Sequence, residues 1–226
     1  MTKELNDFIS SIRNSDSLQH ERFLINTEMA KIRATLKEPS KEKLPPIMLK
    51  LIFLDILGES TSWGQMSAVT LMASKNFSRK RVGYMAITQL INETNDLNVL
   101  ITQTLLGDLA STNNHIVSLA LTYISNCGST EICKGVATTV QRIVKDSKDE
   151  AVLKKGAMSL VRIMRKVPEL VESCKNSFQK LLNSNNHGVV IAGTRAVITA
   201  LEIEPRMRKI WKSFIPPFIM ILKSLT

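Results

Sequence analysis

The sequence predicts an all-α fold, and three observations support that prediction. Apolar residues recur at the i, i+3, i+4, i+7 spacing of a helix face, for example over residues 5–12 and 97–105. Strict alternation of apolar and polar residues, the pattern of a half-buried strand, is nearly absent. Only 5% of the residues are aromatic while Met numbers 10, a balance that favours helix packing over sheets.

Turn-forming residues divide the chain into about ten to twelve predicted helices. Clusters of Gly, Pro, Asn, Asp and Ser end one periodic segment before the next begins. In chain order these joints lie at residues 38–46, 58–64, 74–78, 92–96, 107–114, 126–130, 145–149, 167–168, 183–187 and 204–205.

Four of the predicted helices share a pattern at their start, in which a small residue follows a β-branched residue by one helical turn. Successive pairs are 34, 36 and 37 residues apart, and a short side chain at this position lets neighbouring helices approach closely. A period near 36 with two helices per unit predicts a right-handed α-solenoid of HEAT- or armadillo-like repeats, about six in number. The pairs are Val82 with Ala86, Ile116 with Ala120, Val152 with Gly156, and Val189 with Gly193.

The length and the repeat predict one solenoid domain over residues 1–226. Residues 216–222 read Pro-Pro-Phe-Ile-Met-Ile-Leu, which resembles the start of a helix that still needs a neighbour to cover its apolar face. We therefore expect a piece of a longer solenoid. The alternative is a chain whose end is capped by a partner protein.

Motifs for catalysis, metal binding and membrane insertion are not found in the sequence. The 3 cysteines include no CxxC pair, the 3 histidines lie far apart, and the nucleotide-binding and hydrolase motifs do not occur. The longest apolar stretches, at residues 47–57 and 215–222, are too short to span a bilayer. We therefore expect no enzyme, no metal, no cofactor and no transmembrane segment.

Positive charge is concentrated in the second half of the chain. The formal net charge is +10, and residues 111–226 contain 17 Lys and Arg against 8 Asp and Glu. One predicted helix face is a candidate docking surface for an acidic partner, although the same pattern is typical of a solvated helix surface. Aromatic residues for base stacking are not interleaved, so nucleic acid is a less favoured partner. This basic surface comprises Lys154, Lys155, Arg162, Arg165 and Lys166.

Several segments, taken in order, resemble one known family. They are LNDFISSIR at 5–13, EMAKIR at 28–33, LG at 57–58, WGQ at 63–65, FSRKRVGY at 77–84, KVPEL at 166–170 and NHGV at 186–189. Together they resemble the N-terminal trunk of the adaptins, the large subunits of clathrin adaptor complexes, and the last two segments are most similar to the gamma type. The resemblance covers essentially the whole chain.

Membership of this family would imply a non-catalytic role in vesicle-mediated transport. Gamma adaptins assemble with a beta-type large subunit, a mu subunit and a sigma subunit, and the complex sorts transmembrane cargo into clathrin-coated vesicles. The resemblance therefore implies a trunk that clasps sigma. It also implies a cytoplasmic location, peripheral on the membranes of the trans-Golgi network, endosomes and clathrin-coated vesicles.

The resemblance also implies three kinds of site. Arg13 matches the arginine that meets the acidic residue of dileucine cargo signals, a task suited to a permanently charged guanidinium. Met66, Val69 and Leu100 match apolar positions that contact GTP-bound Arf-family GTPases. Without the resemblance, an ordinary surface ion pair for the arginine and core packing for the apolar residues would be the simpler interpretations.

A phosphoinositide site is the third kind. Related trunks have basic residues just before their third helix, where residues 44–46 of this chain are Leu-Pro-Pro. The remaining candidates for binding an anionic headgroup as point charges are Lys37, Lys41, Lys43 and Lys50. A free HEAT-type scaffold or transport protein, which binds acidic peptides or nucleic acid through its basic second half, is the alternative function.

Overall fold

A computed structural model describes residues 3–38, 40, 42–207, 212 and 215–224, and it contains helices without any strand in this part of the chain. Short 3-10 turns lie at Ser62–Gly64, Pro168–Leu170, Glu172–Cys174 and Pro205–Met207. The α-helices, numbered in chain order, are α1 (Lys3–Arg13), α2 (Leu18–Lys37), α3 (Leu44–Ile56), α4 (Gln65–Met72), α5 (Phe77–Leu90), α6 (Asn98–Leu109), α7 (Asn114–Cys127), α8 (Thr130–Asp146), α9 (Glu150–Lys166), α10 (Lys175–Leu182), α11 (His187–Ile203) and α12 (Ile215–Ser224).

The helices belong to two compact units, Met1–Leu97 and Asn98–Thr226. In the first unit α1 packs against α2 and α3, and α3 packs against α5. The centre of this core is formed by Met48, Leu51 and Leu54, which have no exposed surface. The expectation of a single solenoid domain over residues 1–226 stays a prediction.

In the second unit, helices α6 to α9 each pack against the helix two places further along the chain. Helix α7 contacts α9 and α9 contacts α11, while α6 contacts α8 and α8 contacts α10. Stacking of alternate helices is the arrangement of an α-solenoid, as the repeat period predicts. A buried hydroxyl supports it, because Ser159 Oγ on α9 donates to the main-chain oxygen of Leu121 on α7 at 2.8 Å.

Four helices begin with the same local structure, which the sequence analysis did not identify. The N-cap side chain is Asn or Asp and accepts a hydrogen bond from a main-chain N–H of the first turn, while the N-cap's own N–H donates to the Ser two residues earlier. This Ser-x-Asx motif recurs after 37, 36 and 37 residues. The pairs are Ser74 with Asn76, Ser111 with Asn113, Ser147 with Asp149, and Ser184 with Asn186.

The caps correct one pair of the predicted repeat. Counted from its N-cap, the small residue lies seven positions on at Ala120, Gly156 and Gly193, and the residue at that position in α5 is Gly83. The pair of Val82 and Ala86 is therefore out of register by three residues. The close approach supports this register, since a Cβ on Gly83 would lie 2.2 Å from the main-chain nitrogen of Met72.

Candidate functional site

Arg13 is the last residue of α1, where a cation is favoured by the negative end of the helix dipole. Leu5, Phe8 and Ile12 on the same helix are buried, whereas the Arg13 side chain is exposed. No hydrogen bond or ion pair to the Arg13 guanidinium is found among the described residues. The guanidinium is therefore available to a carboxylate from another molecule.

The two expected GTPase-contact residues on α4 differ in exposure. Met66 is 54% exposed, while Val69 is only 6% exposed and belongs to the core with Ala68 and Met72. A valine with so little surface offers a partner almost nothing to cover. Val69 therefore packs in the core, and of the two residues only Met66 has substantial surface to offer a partner.

Leu100 lies on α6, in the second unit, and is 45% exposed. Its neighbour Val99 is 63% exposed, whereas Ile101 is fully buried. The first turn of α6 thus presents two consecutive apolar side chains to solvent. An exposed apolar pair of this kind is a possible contact for another protein.

The lysines expected to bind phosphoinositide do not form one basic cluster. Lys37 and Lys43 are exposed, and Lys41 lies outside the described residues. Lys50 Nζ, by contrast, is 2.6 Å from Glu28 Oε1 and 5.9 Å from the centre of the Phe8 ring, with its side chain only 16% exposed. Lys50 therefore joins α3 to α2 and α1.

The cavity beside Lys50 has mixed charge. Its volume is about 360 Å³, and its lining includes three carboxylates as well as three lysines. Carboxylates so close to the lysines disfavour a polyanionic headgroup. The charged lining residues are Glu4, Glu28, Glu42, Lys31, Lys43 and Lys50.

The basic surface of α9 is smaller than its sequence pattern suggests. Arg165 is exposed, but Lys154, Lys155, Arg162 and Lys166 are half-buried. Arg162 Nε donates to the main-chain oxygen of Gly128, the C-cap of α7, at 3.0 Å, so its charge helps to hold the end of α7 against α9. This surface is therefore partly structural.

Three titratable groups of the second unit have shifted pKa values. Burial raises the pKa of the Cys174 thiol and that of the Tyr123 hydroxyl. The pKa of Asp149 is lowered, chiefly because its carboxylate accepts a hydrogen bond from the Val152 main-chain N–H. Over the described ranges, no group of three or more His, Cys, Asp and Glu side chains could hold a metal ion.

One basic pocket was missed by the sequence analysis. It lies in the first unit at the turn between α4 and α5, and Lys75 and Arg79 are among its lining residues. The Ser-x-Asx motif provides the missing sequence signal, because it places Arg79 where the next three repeats have Ile116, Val152 and Val189.

Comparison with known protein families shows which family the chain belongs to. Residues 21–226 match the family model described as the adaptin N terminal region. This chain is an adaptin-family member. The match covers most of the chain, and it confirms the resemblance on which the expected sites were based.

The curated proteins most similar to this adaptin include several gamma subunits. The AP-1 complex subunit gamma of Dictyostelium discoideum is 30% identical over 226 residues, which are 100% of this chain and 25% of that protein. The AP-1 complex subunit gamma-2 of Arabidopsis thaliana is 38% identical over 189 residues, covering 84% of this chain and 22% of the relative. The Saccharomyces cerevisiae AP-1 complex subunit gamma-1 is 35% identical over 215 residues, covering 92% and 26%. These matches confirm the gamma-type resemblance, and the adaptin chain spans about a quarter of each relative's length.

Solved structures support the fold. A homology model of the full-length AP-3 complex in an intermediate open conformation superimposes with a TM-score of 0.69 at 22% identity, covering 82% of this adaptin and 32% of that chain. A crystal structure of an engineered protein gives a TM-score of 0.52 at 14% identity, covering 88% and 99%. The all-α solenoid prediction is confirmed. None of the helices in the described ranges combines the length and the apolar character that a bilayer crossing requires.

Proposed function

We propose that this adaptin chain acts as part of a large subunit of an AP-1-type clathrin adaptor, in vesicle-mediated protein transport at the trans-Golgi network and endosomes. The observation that carries the proposal is the ordered match of nearly the whole chain to gamma subunits. Its role is non-catalytic. It provides a helical scaffold that positions other subunits, cargo and a membrane-bound GTPase.

The first partner in this proposal is a sigma-type small subunit, with the beta-type and mu subunits completing the complex. Exposed apolar side chains on neighbouring helices of the second unit support a protein partner, because such surface gains free energy when it is covered. Met158 on α9 is 42% exposed, and Ile191 and Ile198 on α11 are 69% and 42% exposed. Co-expression with a sigma subunit tests this step, and a chain that purifies without sigma would contradict it.

The second partner is a GTP-bound Arf-family GTPase, contacted by Leu100 and separately by Met66. Both side chains are exposed and apolar, as a contact with hydrophobic switch residues requires. We expect the chain co-purified with sigma to retain GTP-loaded but not GDP-loaded Arf. Leu100→Glu is expected to abolish retention, whereas Gln103→Glu, which adds the same charge at an exposed polar position of the same helix, is a matched control that retains it. Equal loss in both variants would contradict a specific contact at Leu100.

The third partner is the acidic residue of a dileucine cargo signal, bound by Arg13. Its exposed guanidinium lacks an internal partner in the described part of the chain, so binding a carboxylate breaks no existing ion pair. We expect Arg13→Ala to weaken binding of a dileucine peptide to the chain–sigma complex. Lys3→Ala removes an exposed charge from the same helix and serves as the control. A peptide that loses as much affinity with Lys3→Ala would point to a general charge effect instead.

Membrane phosphoinositide completes the proposal through Lys37, Lys41 and Lys43, since Lys50 is paired with Glu28. The alternative is a free scaffold that binds acidic peptides or nucleic acid, and the exposed Arg165 is consistent with it. A salt titration separates the alternatives. Binding to nucleic acid falls steeply with ionic strength because counterions are released, whereas an apolar GTPase contact changes little.

A further inference from the structure

The pocket at the α4–α5 turn has the character of an anion-binding site. Its volume is about 460 Å³. Its floor is apolar, with Leu44 and Leu71 buried, and its rim carries the cations of Lys75 and Arg79. The remaining lining residues are Thr70, Ala73, Ser74 and Asn76, so none of the eight described lining residues carries a carboxylate.

Both rim cations lack internal partners in the described part of the chain. Neither the Arg79 guanidinium nor the Lys75 ammonium makes a hydrogen bond, an ion pair or a ring contact there. Arg79 is half-buried, and a partly buried guanidinium normally pairs with a carboxylate or an anion. An external anion would therefore complete an arrangement that the protein leaves incomplete.

Arg79 also departs from the repeat. It lies three residues after the N-cap Asn76, and the same position in the next three repeats is a β-branched apolar residue. Two of these, Val152 and Val189, are 2% and 0% exposed. Packing in the later repeats therefore favours a β-branched apolar residue at this position, and Arg79 departs from that type.

The surroundings of the pocket bring no opposing charge at the start of α5, whose first turn contains no acidic residue, whereas α8 and α9 have Glu131 and Glu150 in theirs. The hydroxyl of Ser74 and the amide of Asn76 supply neutral donors beside the two cations.

We propose that this pocket binds a phosphate monoester between Lys75 and Arg79. A guanidinium and an ammonium together suit a dianionic phosphate, because Arg offers two parallel donors and Lys adds a point charge. The phosphate can belong to a small soluble ester or to a lipid headgroup. The site is distinct from the loop lysines Lys37 and Lys43 and does not depend on any subunit partner.

Isothermal titration of the 226-residue chain with inorganic phosphate and with inositol trisphosphate tests the site. We expect saturable binding that weakens about tenfold or more in Arg79→Val, because a charge-assisted hydrogen-bond pair is lost. Valine restores the residue type of the other repeats, so this variant is expected to fold, as circular dichroism will check. Lys75→Ala provides a second, exposed variant. Arg81→Ala, an exposed arginine of the same helix that does not line the pocket, is the matched control.

Vesicles of phosphatidylcholine with and without a phosphatidylinositol phosphate identify the source of the phosphate. Binding to the soluble probes alone supports a soluble ester, and Arg79-dependent binding to the lipid as well supports a headgroup. The proposal is overturned if neither soluble probe binds saturably, if Arg79→Val leaves the affinity unchanged, or if Arg81→Ala weakens it equally. A phosphoserine peptide that binds while neither soluble probe does would overturn the assignment to a small soluble ester or a lipid headgroup.

Discussion

Asn114 Nδ2 donates a hydrogen bond to Asp149 Oδ2 across 3.1 Å, which joins the first turn of α7 to the N-cap of α9. The next junction repeats the relationship, because the N-cap Asn186 of α11 donates to the carboxylate of Glu150, the first residue of α9. Cap residues thus have two tasks. They accept hydrogen bonds from main-chain N–H groups in the first turn of their own helix, and they link alternate helices side by side.

Replacing Asp149 tests the first task. We expect Asp149→Ala to lower the free energy of unfolding by about 1 kcal/mol, because the bond to the Val152 N–H and the bond from Asn114 are both lost. Urea denaturation measures the change. Lys148→Ala, an exposed neighbour that caps nothing, is the control and is expected to leave the midpoint within error.

The same carboxylate predicts a pH dependence. The pKa of Asp149 is lower in the folded chain than in the unfolded one, so the unfolded state binds the proton first as pH falls. The stabilisation is therefore complete above the unfolded pKa of about 3.9 and is lost as pH falls through the lower folded pKa. Asp149→Asn keeps the cap without the charge, and its stability difference from the wild type is expected to shrink on acidification. A difference that stayed constant from neutral pH to below that range would contradict the assignment.

Two glycines of the first and second units predict opposite effects of alanine. Gly83→Ala places a Cβ 2.2 Å from the main-chain nitrogen of Met72, and a backbone neighbour cannot move aside cheaply. We expect a loss of about 2 kcal/mol or more. Gly107→Ala in α6 meets no atom within 4 Å and is expected to stabilise the chain by about 0.5–1 kcal/mol through helix propensity. Thermal unfolding of the two variants compares them directly.

Thr199 predicts a stabilising substitution. Its Oγ1 is buried and has no hydrogen-bond partner among the described residues, and the residue is 1% exposed. Thr199→Val removes the unsatisfied hydroxyl at constant shape, so we expect a gain of about 1 kcal/mol. Thr194 on the same helix donates to the Val190 main-chain oxygen, and Thr194→Val is expected to show no such gain. A lower melting temperature for Thr199→Val would show that its hydroxyl is satisfied in solution.

Lys50 is predicted to contribute to stability and not to membrane binding. Lys50→Ala leaves Glu28 without its close partner in a part-buried position, and we expect a loss of about 2 kcal/mol. Lys43→Ala removes an exposed charge and is expected to change stability by less than about 0.5 kcal/mol. Chemical denaturation measures the stability of both variants. In vesicle sedimentation, Lys43→Ala is expected to reduce binding and Lys50→Ala is expected to leave it unchanged.

The helices and the period of the repeat could be read from the sequence because both depend on local spacing. The register of the repeat was misread at Val82, since a buried helix contains several apolar and small residues at one-turn spacing. The side chains that cap a helix mark a single position and give the correct register. These N-cap side chains are polar, so a search for apolar spacing does not detect them.

The sites were harder to predict because exposure and pairing are set by packing. Met66 and Val69 lie three residues apart on one helix, yet Met66 is exposed and Val69 is buried in the core. Lys50 pairs with a carboxylate 22 residues earlier in the chain, which no local spacing reveals. No local pattern marks Lys75 and Arg79, and only the register of the repeat shows that an apolar residue is usual at the position of Arg79.

The junctions between alternate helices restrict how such a chain can change in length over evolution. The residues at the start of one helix bond to those at the start of the next alternate helix. An insertion or deletion of a few residues inside α7 would therefore displace one member of the Asn114–Asp149 pair, and one inside α9 would displace one member of the Glu150–Asn186 pair. Duplication or loss of a whole segment of 36 or 37 residues keeps the spacing of the helix starts, so an equivalent pair of residues can form the same hydrogen bond. Descendants of this gene should therefore differ in the number of complete segments, with shorter length changes confined to the turns.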